Sequence, residues 1–200
     1  SYLACCNRVD ENFGKLIKSL KDEGIYDNTV IIYTSDHGCH FRTRNAEYKR
    51  SCHENSIKVP LVITGGAFTG GGKISDLVSL IDLPATILDI AGIEIPEHFM
   101  GKSLTDKKGH DSVFMQISES QIGRAIRTDR WKYSVAAKNK DSAFADEYIE
   151  DCLYDLKHDP YEKNNLISQC GYAETKSMLR EILLEYMKKA DEPVLKIIEK

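Results

Sequence analysis

The sequence has no run of about 18 apolar residues, so no membrane-spanning helix is expected. It has no large excess of either charge. Lys and Arg number 27 against 31 Asp and Glu, and a formal net charge of −4 offers no basic face for nucleic acid. Internal repeats and low-complexity tracts are absent, and no signal peptide is visible. Cysteine is present but unpatterned: Cys5 and Cys6 are adjacent, while Cys39, Cys52, Cys152 and Cys170 are scattered over 200 residues. That is not a disulfide scaffold, so mostly free thiols are expected, which tilts the compartment toward a reducing, cytoplasmic one. What remains is ordinary for a globular chain: 42% hydrophobic and 29% charged residues, enough for one large domain or a domain with a small appendage.

The apolar residues that are there fall into two textures. Leu3, Cys6, Val9, Phe13, Leu16, Ile17 and Leu20 recur at helical spacing, and Gly24 is placed to end that helix. Thr29–Tyr33 and Pro60–Thr64 are short apolar runs that suit buried parallel strands. Gly65, Gly66 and Gly70–Gly72 mark a loop, and Asp82-Leu83-Pro84 opens a helix that stops at Gly92. Near residue 110 the texture changes. Segments 113–117, 124–128, 131–135 and 152–156 read as short strands, with Asp129-Arg130 as a tight hairpin. Residues 141–150 are acidic and unpatterned and read as a loop. A last helix over 172–190 carries Met178, Leu179, Ile182, Leu183 and Met187 on one face. Trp131 and Tyr133 read as core residues. The boundary divides the chain into 1–110 and 111–200.

Residues 33–60 carry the chemistry. The β-branched run drives into Tyr33-Thr34-Ser35-Asp36-His37-Gly38, followed by Lys49 and then Ser56-Ile57-Lys58-Val59-Pro60. A carboxylate beside a turn glycine suits a hard divalent cation, and a neutral imidazole can join it through one ring nitrogen. A lysine is a point charge for an oxyanion. His40, Arg42, Arg44, Arg50 and His53 crowd the same loop, and His53 has an ordinary pKa suited to proton donation. Cys39-His40 and Cys52-His53 also give the ligand count for zinc, but neighbouring residues on an extended chain point opposite ways.

These motifs resemble the sulfatase family of alkaline-phosphatase-like hydrolases. The likeness includes the Thr-Ser-Asp-His-Gly turn, Lys49 and Glu54-Asn55-Ser56-Ile57-Lys58-Val59-Pro60-Leu61. It extends upstream through Arg8–Asn12 and Gly24–Thr29, and downstream through Ser79–Leu88, Arg127–Tyr133 and Leu153–Pro160. The resemblance implies an α/β fold. Residues 1–110 would be part of a layered sheet with helices, and 111–200 a small antiparallel sheet with a helix. It implies Asp36 and His37 as metal ligands and Lys49 as the sulfate-contacting lysine. His53 is the candidate proton donor, and His40, Arg42, Arg44 and Arg124 are candidates for the substrate rim. For Arg124 a salt bridge on the small sheet competes with that role. The family metal is generally calcium. A nitrogen ligand weakens that choice and leaves magnesium or manganese open.

No Cys or Ser here stands in the Cys/Ser-x-Pro/Ala-x-Arg pattern that the family converts to formylglycine, and its Asp-Asp metal pair is also missing. The expectation is therefore the C-terminal part of a longer sulfuric ester hydrolase, inactive alone and prone to self-association through faces that lack their neighbours. Two alternatives stand beside it: a phosphodiester or phosphonate hydrolase on the same scaffold, or a non-catalytic metal-binding module.

Overall fold

The computed structural model describes residues 1–106, 108–119, 121–138, 145, 147–192 and 196–200. Helix α1 spans Tyr2–Asp22. It ends as its glycine demands: Gly24 takes φ +69, and the Ile25 N–H returns to the Leu20 carbonyl at 3.1 Å. Strands β1 (Ile31–Thr34) and β2 (Leu61–Thr64) follow, with the short helix α2 (Glu54–Ile57) between them.

These two strands correct the sequence reading. They pair antiparallel, with Ile31 opposite Thr64 and Thr34 opposite Leu61. An apolar β-branched run fixes strand propensity but not direction. The connection from Thr34 to Leu61 contains only α2, not the crossover helix that a parallel return usually employs. The strands are also less buried than expected: only Ile31 is buried, and Val62 on β2 is exposed.

Helix α3 (Asp82–Ile90) completes the first part. Its Asp82 carboxylate is buried and accepts from the Ser79 and Lys102 backbone N–H groups at 2.7 and 2.9 Å, with His110 Nε2 at 2.9 Å. The second part is an antiparallel meander of β3 (Ser112–Glu119), β4 (Gln121–Thr128), β5 (Trp131–Ala137) and β6 (Tyr148–Asp155). Strand β7 (Ile197–Ile198) is added parallel to β6. Helix α4 (Ala173–Lys189) lays Leu179, Leu183 and Met187 on Ile126, Tyr133, Val135 and Leu153, and this is the main core. Met178 falls outside that stripe and is exposed. The stretch 141–150 is not all loop: Tyr148–Glu150 open β6 because Tyr148 and Glu150 both turn inward. Residues 141–144 and 146 of that expectation lie outside the described residues.

Candidate cation and oxyanion site

Strand β1 delivers its last residue, Thr34, directly into the Ser35-Asp36-His37-Gly38 turn. The turn holds itself. The His37 N–H donates to Asp36 Oδ1 at 3.0 Å, and Ser35 Oγ donates to the His37 carbonyl at 2.9 Å. Its far end is pinned across the loop, where the Gly38 N–H donates to the Ser56 carbonyl of α2 at 2.7 Å. This approach requires glycine: a Cβ on residue 38 would sit 2.1 Å from the Asn55 carbonyl oxygen.

Three of the expected groups meet here. His37 Nδ1 lies 2.8 Å from the Gly38 carbonyl, a contact only an N–H can make, so Nε2 carries the lone pair. That Nε2 lies 3.3 Å from Asp36 Oδ2 and accepts from the Lys49 ammonium at 3.0 Å. Burial pushes the Asp36 carboxyl up, but the His37 backbone N–H and the Lys49 charge outweigh it and hold the group below its ordinary value. A lone pair and a carboxylate oxygen side by side repel unless a cation faces both. Lys49 occupies that lone pair here, so the pair fits two positions of a divalent ion's coordination shell, one oxygen and one nitrogen, only once the ammonium swings off Nε2. Among the described residues no group of three His, Cys, Asp or Glu side chains is gathered for a metal. Cys39, His40, Cys52 and His53 are not brought together in such a group.

Beside the turn lies an open cleft of about 610 Å³. Tyr33, His37, Tyr48, Glu54, Asn55 and Lys58 line it. The four residues suggested for the substrate rim are not among its described lining. His40 is fully buried, and neither of its ring nitrogens has a hydrogen-bond partner among the described residues. Arg42 is exposed in a left-handed turn at φ 63. Arg44 reaches across to the second part and donates to the Glu162 and Tyr161 carbonyls at 2.7 and 2.6 Å. Arg124 is completely buried against Glu192, with Nη2 3.2 Å from Oε2, so the salt bridge is the observed outcome.

His53 also turns away from the cleft. It lines a small cavity against the second sheet, with Nε2 3.3 Å from the Tyr154 hydroxyl. Burial, then the charges of Arg44 and Lys132, lower its pKa to about 4. A neutral, enclosed imidazole is a poor proton donor at neutral pH, contrary to the sequence reading.

The sequence reading missed one group that touches this wall. Lys132 on β5 is buried and donates to Glu54 and Glu162, both at 2.6 Å. A lysine inside the apolar run Trp131–Val135 was the available signal, since a strand interior tolerates a charge only when it is paired.

The turn and its lysine bring a carboxylate, an imidazole and an ammonium together on a mixed α/β fold. A family model described as Sulfatase matches residues 1–93. Arylsulfatase K of Xenopus laevis is 33% identical over 84% of this chain, and N-acetylglucosamine-6-O-sulfatase of Bacteroides thetaiotaomicron is 31% identical over 94%. A solved structure, BT4656 in complex with its substrate D-glucosamine-2-N,6-O-disulfate, is 29% identical with a TM-score of 0.77, covering 96% of this chain and 41% of its own. Phosphonate monoester hydrolase of Agrobacterium radiobacter shares the fold at 25% identity and a TM-score of 0.74, over 90% of this chain and 39% of that one. The chain belongs to the sulfatase family, within the alkaline-phosphatase-like superfamily. It spans about a third of the length of the two curated relatives, 33% and 35% respectively.

Proposed function

We propose that this chain supplies part of the active site of a sulfuric ester hydrolase. The observation that carries the reading is the meeting of Lys49, His37 and Asp36 within 3.0 and 3.3 Å contacts at the end of β1. Asp36 Oδ2 and His37 Nε2 are the residues that hold a divalent cation, with calcium the first candidate by family and magnesium or manganese the others. When bound, such an ion polarises the sulfate oxygens as a Lewis acid. The Gly38 carbonyl fixes the His37 tautomer, so Nε2 faces the site without waiting for a proton to leave. Released from His37 Nε2 when the cation takes that lone pair, Lys49 neutralises charge on a sulfate oxygen, and its effect is largest where that charge grows during transfer. The formylglycine nucleophile expected by family, and the remaining metal carboxylates, belong to a segment outside these 200 residues. On this reading the chain alone turns over no sulfate ester.

The alcohol half of the substrate faces the cleft wall. Glu54 and Asn55 are hydroxyl-bonding groups, and Tyr33 and Tyr48 offer aromatic faces. A sulfated sugar fits this better than a simple aryl ester. It is also the substrate named for the BT4656 structure and, by its name, for the Bacteroides relative.

Turnover of sulfated glucosamine and a chromogenic aryl sulfate is the test, measured in an enzyme that joins this chain to a nucleophile-bearing segment. Asp36→Ala and Lys49→Ala are each expected to lower kcat/KM by at least roughly a hundredfold, the scale of one lost transition-state contact. Near-normal rates in both variants would rule the roles out. Preferential cleavage of a phosphonate monoester would move the assignment to the phosphonate branch.

A further inference from the structure

The cluster at Asp36, His37 and Lys49 is held by the first part of the chain, yet its anchor runs into the second. Glu54 begins α2 and lines the cleft. Its carboxylate is gripped from β5 by Lys132 at 2.6 Å and from β4 by Arg127 at 3.4 Å. Its backbone N–H donates to Glu162 Oε2 at 2.8 Å. Glu162 closes the triangle by accepting from Lys132 at 2.6 Å. Lys132 and Glu162 are both almost wholly buried, so water does not screen these contacts. Glu162 sits in the left-handed region at φ 53, a backbone conformation a glutamate holds only when its surroundings fix it. Arg44 supplies part of that fixing through the Glu162 carbonyl.

From α2 the connection continues to the turn. The Ser56 carbonyl accepts the Gly38 N–H at 2.7 Å, and the Gly38 carbonyl in turn takes the His37 ring N–H. Resting on the reading of Asp36, His37 and Lys49 as the cation and oxyanion site, we propose that Lys132 and Glu162 are positioning residues for it. They act through Glu54 and α2 and set the height of the Asp36-His37-Gly38 turn above the cleft. Neither touches the reacting atoms. Lys132→Met would leave the Glu54 and Glu162 carboxylates facing one another with their shared cation removed. Mutual repulsion would then lift α2 from the second sheet and carry Gly38 with it.

Hydrogen exchange on the 200-residue chain tests the connection without any turnover. Lys132→Met is expected to speed exchange of the Gly38 and Lys58 amides at least roughly tenfold. The amides of Ile126 and Leu153, in the strands on either side of residue 132, should keep their rates. Lys132→Arg retains the charge and should restore most of the Gly38 protection. Unchanged Gly38 exchange, or acceleration spread evenly over β4–β6, would show a lysine that serves its own sheet only and would overturn the proposal. Should Lys132→Met fail to fold, Glu54→Gln cuts the same connection at its half-buried end and must give the same pattern. Steady-state kinetics of the joined enzyme separates the two readings. Wild-type enzyme without sulfatase activity but with the exchange pattern intact would sink the proposed function and leave the positioning role standing. An active wild type whose Lys132→Met variant keeps its kcat/KM and its Gly38 protection would do the reverse.

Discussion

The Gly38 amide and the Ser56 carbonyl, 2.7 Å apart, join the candidate metal turn to the helix that lines the cleft. The two backbones run so close that position 38 has no room for a side chain. Gly38→Ala is therefore expected to displace either the turn or α2. In the enzyme joined to its nucleophile-bearing segment, weakened binding of a divalent cation by calorimetry, with the overall far-ultraviolet spectrum unchanged, is the expected outcome. A variant that binds as the parent does would mean the contact is easily relaxed.

His53 gives a pH prediction with a definite sign. Its pKa is lowered from 6.5 to about 4, chiefly by burial. The unfolded chain therefore binds more protons than the folded one between those values. The His53 contribution to stability is complete above pH 6.5 and is lost as pH falls toward 4. His53→Gln should flatten the fall of melting temperature over that window. It should leave the alkaline limb of any pH–rate profile in place, because a neutral histidine donates no proton there. A lost alkaline limb would return His53 to the general-acid role.

Arg124 and Glu192 form a buried pair that stabilises only while both members are present. Arg124→Ala leaves Glu192 charged and enclosed, and is expected to cost about 3–5 kcal/mol in denaturant unfolding. A loss below about 1 kcal/mol would mean that water reaches Glu192 freely.

No residue of α1 is buried, and Leu3, Val9 and Leu16 face outward from it. Ile81 and Ile87 at α3 are similarly bare. Isolated at micromolar concentration, the chain is expected to associate with itself, read as a mass above 22.6 kDa in sedimentation equilibrium. A sharp monomer would show that these faces are tolerated in water.

The parts of this molecule that were legible in its sequence are those whose cause is local. The spacing of Leu3 to Leu20 gave α1 its length, and Gly24 its end. The Asp36-His37-Gly38 turn was visible because it is short and self-bonded, and Lys49 was visible only through its place in the family motif. Partners far along the chain were invisible. Tyr154 encloses His53 from 101 residues away, and Glu162 accepts from a lysine 30 residues earlier. Loop arginines read alike whether they meet a substrate or a carbonyl, so Arg44 was assigned to the rim when it is bound to Tyr161 and Glu162. The direction of β2 was lost for the same reason, since a run of β-branched residues has no arrow.

The pairing of β1 with β2 has a consequence for durability. Among the described residues, the sheet that carries the turn has two strands of four residues each, whereas the other has five strands and a helix over its face. A two-stranded ribbon is marginal by itself, so this end of the molecule draws its endurance from whatever packs around it. Gentle warming should loosen the Asp36-His37-Gly38 turn well before the five-stranded sheet melts, and cooling should restore it.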